Sequence, residues 1–169
     1  MDNNIKKVGI LMGSNSDWPV VKKAADKLCE LGIPYEVHIL SAHRTPKQTE
    51  EFTSSAQANG FGVLIAAAGM AAHLAGATAA NTVLPVIGIP MNSGALNGID
   101  ALLSTVQMPS GIPVAAVAID GAVNSAVLAA QILALNSPEL SALLKKQREE
   151  MQSTILANDE ALQKELSNK

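Results

Sequence analysis

Short apolar runs alternate with longer segments of helical spacing along most of this chain, and that alternation limits the folds open to it. The runs are Lys7 to Met12, Tyr35 to Leu40, Val63 to Ala67, Val86 to Ile89 and Val114 to Ile119. After them come Trp18 to Leu31, Pro46 to Asn59, Ala71 to Asn81, Gly98 to Gln107 and Ala122 to Leu135. In the first of these, Val21, Ala24, Ala25 and Leu28 recur on one helical face. A strand regularly followed by a helix is crossed back over its sheet, which makes neighbouring strands parallel. Right-handed crossovers then predict an α/β protein: a three-layer, doubly wound, flavodoxin-like parallel sheet with helices on both faces.

Local signals mark the boundaries. Gly32 ends the first helix and Pro34 precedes the next strand. Thr45 and Gln48 have the spacing of a capping box around Pro46. Asn59-Gly60 stops the second helix, and Asn97 is placed to cap the fourth, with Asp100 in its first turn. Ser137-Pro138-Glu139 opens a charged C-terminal helix with a stripe of Leu140, Leu143, Leu144, Met151 and Ile155. That helix packs on its own domain or reaches a neighbouring subunit. One domain over residues 1–169 is expected, with a core at about 6–136 and a helical extension at 137–169.

Charge is distributed oddly. From Phe52 to Pro138 the charged residues are Asp100 and Asp120 alone. So little charge leaves apolar surface to cover, which points to an oligomer; an Ala-rich monomer surfaced by Ser, Thr and Asn is the alternative. A net charge of −3 gives no reason to expect a nucleic-acid or membrane partner. Cys29 is the single cysteine, so there is no disulfide framework; it reads as a small core residue. The polar N-terminus does not read as a signal peptide, and the expected location is the cytoplasm.

In doubly wound sheets ligands bind at the carboxyl ends of the strands, where strand order reverses. The loops leaving the first three runs are therefore the candidates. Gly13-Ser14-Asn15-Ser16-Asp17 offers a tight turn, hydroxyls and N–H groups to an anion ahead of a helix, although simple turn chemistry explains it equally. Asp17 caps that helix or accepts hydrogen bonds from sugar hydroxyls. Ser41-Ala42-His43-Arg44-Thr45-Pro46 puts a titratable imidazole beside a fixed cation at a strand-to-helix corner. Gly69-Met70-Ala71-Ala72-His73 is a small-residue turn whose backbone can approach a ligand, with His73 either part of the site or structural. His38 alternates within a strand and is given no role. The chain lacks HExxH, CxxC and acidic-cluster patterns, so no metal site is indicated, nor does a Gly-x-Ser-x-Gly elbow occur. What remains is cofactor-free acid–base chemistry on a small phosphorylated molecule.

Four segments carry a family resemblance: Met12 to Trp18, Ser41 to Pro46, Ala71 to Leu74, and Val106 to Pro113. Together they resemble the N5-carboxyaminoimidazole ribonucleotide mutases of purine biosynthesis, over about residues 7–150. The resemblance implies loss of a carbamate as carbon dioxide and its recapture at ring carbon 4, without metal or organic cofactor. It implies that His43 is the general acid/base, that Ser14, Asp17 and Arg44 bind substrate beside Gly13 and Ser41, and that Gly69 to His73 lies near the imidazole and carbon dioxide. It also implies a homo-octamer. A related branch that carboxylates with free carbon dioxide has lysine at the position of Arg44 and is the runner-up; a non-catalytic flavodoxin-like module binding a phosphorylated ligand is the third reading. Met70 stands where many members have Gly, Ala75 where many have Pro, and the 119–124 segment is about two residues shorter.

Overall fold

The computed structural model describes residues 5–168, in two compact units divided between Leu133 and Ala134. In the first unit, β1 (Lys7–Met12), β2 (Tyr35–Ile39), β3 (Phe61–Ala68), β4 (Val86–Pro90) and β5 (Ala115–Ala116) form one sheet. Its order is β2-β1-β3-β4-β5 and every pairing is parallel. The alternating helices are α1 (Trp18–Glu30), α2 (Pro46–Ser55), α3 (Leu74–Ala80), α4 (Ile99–Val106) and α5 (Ala122–Ala134). The expected three-layer doubly wound sheet is present. Residues on both faces of the central strands are buried, including Val8, Ile10, Leu11, Val63, Leu64, Ile65 and Ile87. Burial on both faces is why these strands read as continuous apolar runs rather than alternating ones.

Several boundaries differ from the sequence expectation, each for a local reason. Helix α2 ends at Ser55, and residues 56–60 turn back so that Phe61 N–H reaches the Ala56 carbonyl. Helix α3 starts at Leu74 rather than Ala71, because Met70 is left-handed (φ 54°) and His73 N–H closes a turn onto the Ala71 carbonyl. Asn97 does not cap α4. It is itself left-handed, and Gly98 (φ 85°) is the cap. A Cβ at Gly98 would lie 2.8 Å from Ile119 Cγ2 and 3.1 Å from the Met91 carbonyl, so the loop is too close for a side chain. Strand β5 pairs over two residues only, beyond which isolated bonds continue from Val117 N–H to the Gly88 carbonyl and from Asp120 N–H to the Pro90 carbonyl. Cys29 is exposed, not core: the helix face carrying Val21, Ala24, Ala25 and Leu28 is buried, and Cys29 falls off it.

The charge-poor middle leaves apolar side chains uncovered. On α4, Ile99, Leu103 and Val106 follow a helical stripe and are all exposed. The second unit is dominated by α6 (Pro138–Ser167), which Ser137 caps by accepting the Leu140 N–H at 3.2 Å. Leu140 is buried, whereas Met151, Ile155, Leu156, Leu162 and Leu166 are exposed. No described helix is long and apolar enough to cross a membrane.

Candidate active site

The order β2-β1-β3 places the reversal of strand order at β1. The loops after β1, β2 and β3 therefore converge at the carboxyl edge of the sheet. They enclose a cavity of about 490 Å³, within the range of small-molecule sites. A larger hollow of about 830 Å³ around Asn81 to Val86 has no titratable side chain on its walls, which leaves the first as the site for chemistry.

The β1 loop is held by its own side chains. Ser14 caps a short 3-10 turn over Asn15–Asp17, accepting the Ser16 N–H at 3.3 Å. Asp17 returns the favour, accepting the Ser14 N–H at 3.2 Å, so its carboxylate closes a capping box instead of capping α1. Ser16 donates its hydroxyl to Ser14 Oγ at 2.8 Å and lines the cavity with Gly13, Ser14 and Asp17. Asp17 is only 9% exposed. Burial pushes its carboxyl above the ordinary 3.8; bonds from Ser14 and Ser16 and the Arg44 charge oppose the rise, and the Asp120 charge adds to it.

The β2 loop is shaped by Ser41 and Thr45. Thr45 Oγ1 accepts the Ser41 N–H at 2.8 Å, and Thr45 N–H donates to the Ser41 carbonyl at 2.9 Å. Thr45 thus closes the hexapeptide on itself, and the expected capping box with Gln48 is not formed by its side chain. Ser41 Oγ accepts from Arg44 N–H at 3.2 Å and from Arg44 Nε at 3.4 Å. The other end of the guanidinium, Nη2, donates to the Gly13 carbonyl. Arg44 therefore latches the β2 loop to the β1 loop with its charge at the cavity wall.

The β3 loop brings the second histidine. His73 Nδ1 lies 2.8 Å from His43 Nε2, with the rings edge to face at 77°. This contact needs one hydrogen and one lone pair, so at most one of the two rings is imidazolium while it holds. Both rings are exposed at the cavity. Gly69 makes room for Ser93: a Cβ there would lie 1.9 Å from Ser93 Oγ and 3.0 Å from its Cβ, so a larger residue would displace that side chain. His38, by contrast, packs on Phe52 beside Glu36.

The structure thus places Gly13, Ser14, Asp17, Ser41, His43, Arg44, Gly69 and His73 around one cavity. It adds Ser16, Met70 and Ser93 to the wall. Ser16 was visible inside the first motif. Ser93 had no signal, since it follows the fourth strand and its role depends on contact with Gly69. Among the described residues, no group of three or more His, Cys, Asp or Glu side chains is arranged to hold a metal ion.

Comparisons with known proteins identify the family of the chain. The AIR carboxylase family matches residues 7–154. A relative from Pyrococcus abyssi, named N5-carboxyaminoimidazole ribonucleotide mutase, is 56% identical over 145 residues, covering 86% of this chain and 83% of its own. The Bacillus subtilis protein of the same name is 52% identical over 157 residues, covering 92% and 97%. The crystal structure of Treponema denticola PurE superposes with a TM-score of 0.85 at 32% identity, covering 92% of this chain and 98% of that one. With the match running through every loop of the cavity and nearly the whole sheet, this chain belongs to the AIR carboxylase family.

Proposed function

We propose that this protein is the isomerase that converts N5-carboxyaminoimidazole ribonucleotide to 4-carboxy-5-aminoimidazole ribonucleotide in purine (IMP) biosynthesis. The names of its relatives support this. The observation that carries it is the apposition of His43 and His73 in one cavity with a hydroxyl-rich turn and Arg44. The turn and Arg44 suit an anionic phosphate, to whose oxygens the Ser14 and Ser41 hydroxyls can donate; the Asp17 carboxylate suits the ribose hydroxyls, from which it can accept. Gly69 and the backbone beside it line the part of the cavity where the imidazole and carbon dioxide would sit.

In the reaction, the carbamate C–N bond breaks and releases carbon dioxide, while His43 donates a proton to the exocyclic nitrogen. Ring carbon 4 attacks the retained carbon dioxide, and His43 takes back the proton that carbon 4 loses. The proton count closes on one side chain, so no cofactor enters. Holding both fragments together makes recombination effectively unimolecular, where such positioning is worth up to about 7–11 kcal/mol. The reading includes a single functional domain over the chain, a cytoplasmic location and a homo-octamer; the exposed stripe Ile99, Leu103 and Val106 on α4 supports an assembly.

The test is the isomerisation assay on the wild type beside His43→Asn. Turnover lost in a variant that keeps fold and assembly is expected, and near-normal turnover would remove His43 from the mechanism. The family's name also admits a carboxylase that uses free carbon dioxide. Labelled bicarbonate supplied with unlabelled carboxyamino substrate separates the two, because a trapped intermediate leaves the product unlabelled. A monomeric mass at micromolar concentration would contradict the assembly.

A further inference from the structure

The segment Met91-Asn92-Ser93 is gripped from two sides. Met91 N–H donates to the Ala68 carbonyl at 2.9 Å, tying it to the end of β3. The next N–H, that of Asn92, donates to Asp120 Oδ1 at 2.9 Å. Between these anchors and the cavity, Ser93 Oγ fills the space that a Cβ on Gly69 would take, 1.9 Å from that position, with Met91 Cβ at ordinary contact distance, 3.5 Å. Ser93 Oγ is buried there and has no hydrogen-bond partner among the described residues, so packing and not bonding places it. Asp120 itself sits at a left-handed φ of 56°, with its own N–H on the Pro90 carbonyl. A non-glycine residue in that conformation persists where its surroundings fix it, and Asp tolerates it better than most. Asp120 is one of only two charges between Phe52 and Pro138, and it is not among the residues lining the cavity.

We propose that Asp120 is a positioning residue for the reaction: its carboxylate braces Met91 to Ser93 against Gly69, and through that turn sets His73 beside His43. The connection is a chain of named contacts: Asp120 to Asn92, Ser93 to Gly69, and Gly69 through Met70 and Ala71 to His73. Met70 is left-handed, and its Cγ lies near Gly94 of the same braced loop, a second point at which the two loops approach. The Asp120 charge is also felt by Asp17, whose carboxyl it helps to raise.

The inference rests on the mutase reading, so the wild-type isomerisation assay comes first; an inactive wild type would sink that reading. Asp120→Gly removes the acceptor and keeps the left-handed backbone, while Asp120→Asn keeps an acceptor oxygen without the charge. For Asp120→Gly, kcat is expected to fall about tenfold with KM for the ribonucleotide within a factor of about two. Asp120→Asn should stay near wild type, and the imidazole NMR signals of His73 should move in the Gly variant only. Wild-type kcat in Asp120→Gly, or equal impairment in Asp120→Asn, would overturn the role. Ser93→Gly loosens the same brace at its other end, and combining it with Asp120→Gly should cost no more than either change alone. Additive losses would show that the two residues do not act through one contact chain.

Discussion

His43 Nε2 and His73 Nδ1 are 2.8 Å apart, although the residues are separated by thirty positions in the chain. Their loops leave β2 and β3, which flank β1 on opposite sides. Removing His73 deprives His43 of its hydrogen-bond partner without touching the proposed proton carrier. His73→Ala is expected to lower kcat roughly 10- to 100-fold, one or two steps of about 1.4 kcal/mol each, with a smaller change in KM. His73→Gln, which keeps a polar group, should recover part of the loss. An unchanged kcat in steady-state assays of the Ala variant would place His73 outside the reaction.

Arg44 joins Ser41 to the Gly13 carbonyl and carries a charge at the cavity wall. Hydrogen bonds to charged groups are worth about 1.5–3 kcal/mol, so Arg44→Ala is expected to raise KM roughly 10- to 150-fold. Arg44→Lys retains the charge but not the planar fork, and should fall between. Saturation curves for the three proteins check the order. A KM ranking with Lys as poor as Ala would assign the effect to geometry alone.

Met70 holds a left-handed backbone and exposes most of its side chain. A left-handed L-residue costs roughly 1–2 kcal/mol, part of which glycine gives back through the entropy of the unfolded chain. Met70→Gly is therefore expected to stabilise the fold by about 0.5–1 kcal/mol, seen as a higher denaturant midpoint. A lower midpoint would mean that the approach of Met70 Cγ to Gly94 outweighs the strain.

Asp17 carries a pH signature. Burial raises its pKa in the folded protein above the ordinary 3.8. The folded state thus holds the proton more tightly than the unfolded chain. The associated stabilisation is fully present below the unfolded pKa and is lost as pH rises through the folded value. Asp17→Asn keeps an acceptor for the Ser14 N–H and removes the titration. Relative to wild type, the variant should gain stability as pH rises from below 3.8 toward neutrality, in denaturant melts across that window. A stability difference that does not vary with pH would show that Asp17 titrates alike in both states.

The sheet was legible because fully buried parallel strands leave unmistakable apolar runs, as in Val63 to Ala67 and Val86 to Ile89. Helix starts were less so. Ser137 caps as its sequence suggests, but Asn97 and Thr45 do not, since tertiary crowding at Gly98 and the Ser41 bond took precedence over local propensity. The candidate site was readable where one loop holds the whole motif, at residues 13–17 and 41–46. Ser93 and Asp120 were not readable, because their importance lies in contacts with Gly69 and Asn92 made across strands. Cys29 misled for the opposite reason: its type favours burial, and its helical phase puts it outside.

The histidine contact is strung across three strands, and β2 is the outermost of them. Strands are about 4.8 Å apart, so the two loops bridge roughly two such steps. An edge strand frays before the interior of a sheet, since only one neighbour holds it. On gentle warming, the pair would come apart while β1, β3 and β4 remained closed. The enzyme would then fall silent well below its melting temperature, and on cooling would recover as quickly as one strand can zip back into place.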